Sequence, residues 1–513
     1  KGQFRTMSGA GNTRDGSGVA GSQLLRIAPA AYEDGISEPR GGGLDGKSTL
    51  LGPRHISNAV LTQVDSIPEP TYLSNMFWSF GQFLDHDIDL SHENEEERFD
   101  VPVPKDDPKF SGVSKLKFKR SQAVPGTGVS TDKPREQSNV ITAFIDGSQV
   151  YGSSDDEANN LREDGGNGCL LETSEGNYLK WDPDTPHGPG FLAGDSRAME
   201  QPGLTALHTL FLREHNRIGR KLMKQGLDNE TCFQKARLLI GAELQVITVK
   251  EFLPSLLGPS FMQHRKPTPR KGRGYGIGIF NEFSTACFRF GHTMVANTLS
   301  FMDKSNCEYE NVAVKDAFFN PDLFKEHGLD SILRGLFARR AEKLDGKVVD
   351  SLRNFLFEGR PGSKFGLDLG ALNIQRGRDH GIPNYCETRK ALNLAHKGLT
   401  YRDVTDNPNL AERLENIYGP DPCEMDLWVA GLSESRKRGG IIGPTCQKVI
   451  RKQFRKLLRH DKYSIYNVDW TSYGLRADPS LYSEKLKLSE VTLSKIIRLN
   501  TGIEKLPDNV FKV

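Results

Sequence analysis

The chain carries almost no surplus charge: 68 Lys and Arg stand against 66 Asp and Glu in 513 residues, a formal net charge of +2. A surface so nearly balanced lacks the basic field on which non-specific nucleic-acid binding depends, so no nucleic-acid partner is expected. Long hydrophobic runs are missing too. The most apolar stretch, Ala236 to Leu253, is broken by Arg237, Glu243, Lys250 and Glu251. It falls short of the roughly 18 uninterrupted apolar residues that a spanning helix needs, and no transmembrane span is predicted. Cysteine is sparse, with seven residues scattered from Cys169 to Cys446 and no C-x-x-C pair. That excludes a disulfide-built miniature scaffold and argues against structural zinc, and the odd count leaves at least one thiol free or bonded between chains. There is no internal repeat, no alternation of strands with helices, no Arg-Gly-Asp or Lys-Gly-Asp triplet and no appended immunoglobulin or leucine-repeat segment. Nor does an apolar signal core follow Lys1, so the expectation is a secreted chain whose signal peptide has already gone.

What is present is ordinary globular material, 36% hydrophobic and 26% charged, in a chain long enough to bury about three quarters of its unfolded surface. Gly, Ser and Arg dominate the start, as in Ser8–Gly21 and the Gly41-Gly42-Gly43 run, which reads as an arm draped over the body; we assign residues 1–30 to that arm and 31–513 to one catalytic body. Glu93–Arg135 is polar and proline-bearing and reads as a long surface excursion. Elsewhere apolar residues recur at helical steps, and helices are predicted over Leu73–Leu90, Leu204–Lys224, Phe233–Phe252, Phe283–Met302, Val348–Phe357, Gly377–Leu394, Leu410–Ile417 and Thr445–Leu458. The predicted fold class is mainly α, a single large helical domain with long loops and little β. Asn229-Glu230-Thr231 is a candidate glycosylation acceptor.

Chemistry concentrates in a few segments. Phe80–Leu90 carries Gln82, Asp85, His86 and Asp87. On a helix Gln82 and His86 share a face, whereas Asp87 points about 100° away from His86, so the two neighbours serve different sites. The alternative is an exposed acidic cluster with a solvated histidine. Thr142, Phe144, Asp146 and Ser148 alternate along a loop; with Asp87 they offer carboxylate, hydroxyl and carbonyl oxygens, a hard donor set suited to Ca²⁺. Taken alone, they could equally be a Ser/Thr/Asp turn. Arg197 and Glu200, just before a long helix, could be an ordinary ion pair, and His292 in Phe288-Arg289-Phe290-Gly291-His292 an ordinary core histidine.

Together with Leu369–Gly381, which contains Asn373 and Arg376, these segments resemble, in order and from about Tyr32 to Thr501, the animal-type haem peroxidases of the peroxidase–cyclooxygenase superfamily, especially their peroxinectin-like members. The resemblance implies a haem b cofactor with His292 as proximal iron ligand. Asn373 would accept the N–H of that imidazole, Arg289 would neutralise a propionate, and Arg376 would support the haem from another side. His86 would be the distal acid–base, Arg197 the distal cation and Gln82 a positioning amide. Asp85 and Glu200 would form ester links to haem methyl groups. Gln201 stands where sulfonium-linked members have methionine, so no such link is expected. Asp87, Thr142, Phe144, Asp146 and Ser148 would hold Ca²⁺ and so steady His86. The implied partners are hydrogen peroxide with halides, thiocyanate or small phenols, acted on by a monomer. Alternatives from other classes are an adhesion or matrix protein and a fatty-acid haem dioxygenase; the missing triplets weigh against the first, and Arg289, where the cyclooxygenase branch has its radical tyrosine, against the second. The family's N-terminal cysteine pair is absent near Gly11, and Cys446 occupies a bonded position with Cys386 or Cys423 as the expected partner.

Overall fold

Where apolar residues recur every three or four positions the chain is helical, and local caps fix the ends. The computed structural model describes residues 3–41, 50–259, 276–358, 365–436, 439–473 and 488–513, so Gly42 and Gly43 of the glycine run lie outside it. Helix α1 spans Asn75–Ile88 and α2 spans Pro202–Met223, with Pro202 in its first turn and Arg220 and Lys221 in its last. Helix α3, Asn229–Ile247, is capped by the Asp228 side chain and runs on into a π turn, Thr248–Phe252. Further along lie α4 (Pro321–Ala338), α5 (Leu369–Asp379), α6 (Tyr385–Ala391) and α7 (Pro444–His460). The described residues are 43% helical and 12% strand, and among them every sheet has only two or three strands. The mainly α architecture with little β stands.

One apolar cluster extends from Met7 in the arm to Phe511 near the C-terminus. At its centre Phe83 of α1 stacks on Phe211 of α2 with ring centroids 5.2 Å apart, and Phe77, Phe80, Phe252 and Phe511 pack together. Each such buried ring contributes about 1.5–3 kcal/mol from area alone, so the packing of α1 against α2 is held far more firmly than any surface contact could hold it.

Several sequence expectations are corrected. The segment Phe283–Met302 is not one helix: it passes from Asn281–Thr285 through a 3₁₀ turn, Cys287–Thr293, into a strand, Thr298–Met302, that pairs antiparallel with Glu308–Ala313. Its end alternates, Leu299 and Phe301 inward with Thr298 and Ser300 more exposed, which is the period of a strand. Gly377–Leu394 divides into α5 and α6 because Gly381 takes φ +60 and Pro383 follows, while Asn384 caps the new helix. Val348–Phe357 shortens to Asp350–Arg353. Helix α4 is additional, interrupted at Gly328 with φ +73. The long surface excursion Glu93–Arg135 carries structure of its own: it forms antiparallel strand pairs and a second small core of Val101, Phe110, Leu116 and Phe118 against Ala371 of α5. Disulfides join Cys287 to Cys446 and Cys386 to Cys423. Cys446 therefore pairs with neither expected residue, because α7 packs on the 3₁₀ turn that carries Cys287. Cys169 and Cys232 are buried free thiols, and Cys307 is an exposed one.

Candidate active site

Helix α1 is the wall between two sites. Gln82, Asp85 and His86 open onto a cavity of about 720 Å³ that Arg197, Glu200, Gln201, Arg289, His292, Asn373 and Arg376 also line. Asp87 is fully buried and faces the loop of Thr142–Ser148 instead.

On the His86 side, Arg197 is clamped by Asp195, with Nε donating to Oδ1 at 2.9 Å and Nη2 to Oδ2 at 2.7 Å, and Nη2 also donates to the Asp89 carbonyl at 3.0 Å. Burial works to lower the Arg197 pKa, but Asp195 outweighs it and holds the guanidinium above its ordinary value. Burial pushes the Asp195 carboxyl up, yet the Arg197 charge and its hydrogen bonds keep it well below the usual range. The His86 Nδ1 lies 3.8 Å from Asp195 Oδ1 and makes no hydrogen bond. Burial first, and Arg197 second, hold its imidazole well below the ordinary histidine range, so it is neutral. Asp85 is pushed up to about 8 by burial and by Asp89. Gln82 donates to Glu200 Oε2 at 3.0 Å.

His292 sits in the 3₁₀ turn, lowered to about 3 by burial and then by Arg289. Its Nδ1 lies 2.7 Å from Nδ2 of Asn373, while Asn373 Oδ1 accepts from Arg289 Nη1 at 3.1 Å. The amide nitrogen rather than the expected oxygen faces the ring, because Arg289 can only donate and takes the oxygen for itself. Arg289 is lowered to about 10 by burial and by the neighbouring Arg376. Two guanidiniums so placed create a local demand for anions. Arg376 is anchored by Glu93, Asp379 and Ser121 and lies over the Phe118 ring, which makes the Glu93–Arg135 segment part of this wall.

On the Asp87 side, the Ser148 N–H donates to Asp87 Oδ1 at 2.7 Å and Thr142 Oγ1 to Asp146 Oδ1 at 3.1 Å. Asp87 Oδ2 and Asp146 Oδ2 are buried without hydrogen-bond partners. Burial, and for Asp87 also the nearby Asp146, raise both carboxyls. Phe144, whose carbonyl belongs to the expected donor set, is fully buried in the same loop. Gly194 ties the two sites together: a Cβ there would fall 2.2 Å from the Gly152 nitrogen and 2.5 Å from the Ser148 carbonyl, so the Arg197 loop lies directly on the Asp87 loop. Sequence reasoning assigned no role to Asp195, Asp89 or His208. His208 is buried and packs edge-on to Phe83. The Asp195–Arg197 spacing was the available signal for the first.

Known proteins match this arrangement along its whole length. The family profile described as "Animal haem peroxidase" matches residues 4–511. The chain is 34% identical to thyroid peroxidase of Canis lupus familiaris, covering 100% of this chain and 59% of that protein, so it spans about three fifths of that relative's length. It is 34% identical to lactoperoxidase of Mesocricetus auratus, covering 99% and 77% of the two chains. Among solved structures, peroxidase A from Dictyostelium discoideum superposes with a TM-score of 0.85 at 29% identity, covering 100% of both chains.

Proposed function

Because the chain belongs to the animal haem peroxidase family, we propose that it binds haem b in the cavity beside α1 and reduces hydrogen peroxide, oxidising halides or thiocyanate by two electrons and phenols by one. The observation that carries this reading is the convergence of two neutral imidazoles, the buried His86 and the half-buried His292, and one clamped cation, Arg197, on a single cavity. The lining fits the cofactor: Arg289 and Arg376 suit its two carboxylates, and the His292 ring, already uncharged, suits iron.

When bound, the haem iron supplies the redox chemistry that splits peroxide. The protein's own groups manage protons and charge. Neutral His86 takes the peroxide proton and returns it to the departing oxygen, and its low pKa keeps the base form available across the neutral range. Arg197, fixed by Asp195, meets the negative charge that develops as the O–O bond opens. An anion at Arg289 would draw its guanidinium from Asn373, whose amide could then turn its oxygen to a protonated Nδ1 of His292.

The finer parts of the proposal are ester links through Asp85 and Glu200, no sulfonium at Gln201, Ca²⁺ held by Asp87, Thr142, Phe144, Asp146 and Ser148, and an extracellular location. Two buried carboxylate oxygens without hydrogen-bond partners support the cation, Asp87 Oδ2 and Asp146 Oδ2, the latter 4.0 Å from Arg5 Nη1; two disulfides suit an oxidising compartment. The test is a pair of variants followed by pyridine haemochrome spectra and stopped-flow mixing with peroxide. His292→Ala is expected to lose the pigment. His86→Ala is expected to keep it and react about 10²–10⁴-fold more slowly, and an unchanged rate would refute the assigned role.

A further inference from the structure

The N-terminus of α2 is capped by Gln201, an unusual choice where Ser, Thr, Asp or Asn is preferred. Its longer side chain does more than cap. The Gly203 N–H donates to Gln201 Oε1 at 2.6 Å, Gln201 Nε2 donates to Gln82 Oε1 at 3.2 Å, and Gln82 Nε2 donates to Glu200 Oε2 at 3.0 Å. The direction of this chain is forced. A backbone N–H can only donate, so the Gln201 oxygen must face it and the Gln201 amide nitrogen must face Gln82. Turning either amide over would set donor against donor. The relay therefore begins at a helix N-terminus, whose partial charge is positive, and ends on a carboxylate in the cavity.

We propose that Gln201 is a positioning residue that, acting through Gln82, orients the Glu200 carboxyl for covalent attachment to the haem. This rests on the haem reading above and adds to it the device that aims one of the two ester-forming groups. In the ester step an O–C bond forms between the Glu200 carboxylate and a haem methyl carbon, which loses one C–H. The two electrons removed and the methyl proton, with one further proton from solvent, reduce one hydrogen peroxide to two waters.

The experiment uses haem-loaded protein given a fixed dose of hydrogen peroxide, then digested and analysed by peptide mass spectrometry for haem on the Glu200 and the Asp85 peptides. Gln201→Ser keeps a capping oxygen but cannot reach Gln82, and Gln82→Leu removes the middle of the relay. Gln82→Leu is expected to lower the Glu200-linked fraction about tenfold, the value of one hydrogen bond to a charged group, and Gln201→Ser, which loses a bond between neutral amides, about fivefold, with the Asp85-linked fraction unchanged in both. A cap with no further role would leave the Glu200 fraction of Gln201→Ser at the wild-type level, and that result overturns the proposal. Should Gln201→Ser fail to fold, Gln82→Leu decides alone by the same criterion. Wild-type protein that binds haem and consumes peroxide but carries no link at Glu200 would end the relay proposal and leave the peroxidase reading intact. Colourless wild-type protein would end both.

Discussion

Arg197 and His86 depend on a third side chain whose importance follows from charge. Asp195 meets the guanidinium in two hydrogen bonds while lying 3.8 Å from His86 Nδ1, so one carboxylate fixes the cation and stands beside the base. Asp195→Asn is expected to retain haem while slowing the reaction with peroxide about 10²-fold, because a neutral amide cannot clamp the guanidinium in the same fork; stopped-flow spectra measure it. Sequence motifs bring His86, Arg197 and His292 into view, but not Asp195. Its value comes from a loop that folds it back onto Arg197, and a spacing of two in a loop carries no periodic signal. The orientation of Asn373 was equally hidden, since it is set by Arg289, 84 positions away in the chain.

At the scale of elements, α1 is shared structure. The turn that presents His86 to the cavity also commits Asp87 to the oxygen-rich loop, and Gly194 brings the Arg197 loop against the same backbone. Calcium is therefore expected to stabilise the protein and to support the peroxide reaction together. At a free Ca²⁺ concentration 100 times its dissociation constant the gain is about 2.7 kcal/mol, read as a melting shift that EGTA reverses and Asp87→Ala abolishes. The disulfide from Cys287 to Cys446 pins the 3₁₀ turn of His292 to α7. Cys287→Ser with Cys446→Ser is expected to cost about 2–4 kcal/mol in denaturant unfolding.

Over the whole molecule, one core links the arm, the helices and the C-terminus, and buried histidines make its stability depend on pH. The His215 ring bridges Tyr151, whose hydroxyl lies 2.8 Å from Nδ1, and the Cys169 carbonyl, 3.0 Å from Nε2. Burial lowers it to about 4. A histidine whose folded pKa lies below its unfolded value of about 6.5 contributes stability that is complete above that value and lost as pH falls towards the folded pKa. The stability difference between wild type and His215→Gln is thus expected to shrink between about pH 6.5 and pH 4, by at most about 1.4 kcal/mol per pH unit. Denaturant titrations across that window check it, and a constant difference would contradict it.

Sequence alone determined the helical class, the segments that carry chemistry and the opposite commitments of His86 and Asp87, because helical periodicity and neighbour geometry are local properties of the chain. It did not determine that Phe283–Met302 leaves the helix for a strand, that Glu93–Arg135 closes one wall of the cavity, which cysteine Cys446 meets, or that Gln201 reaches Glu200 through Gln82. Those were decided by tertiary structure, since each depends on partners brought together from distant parts of the chain by a common core, and no local pattern encodes which distant group will arrive.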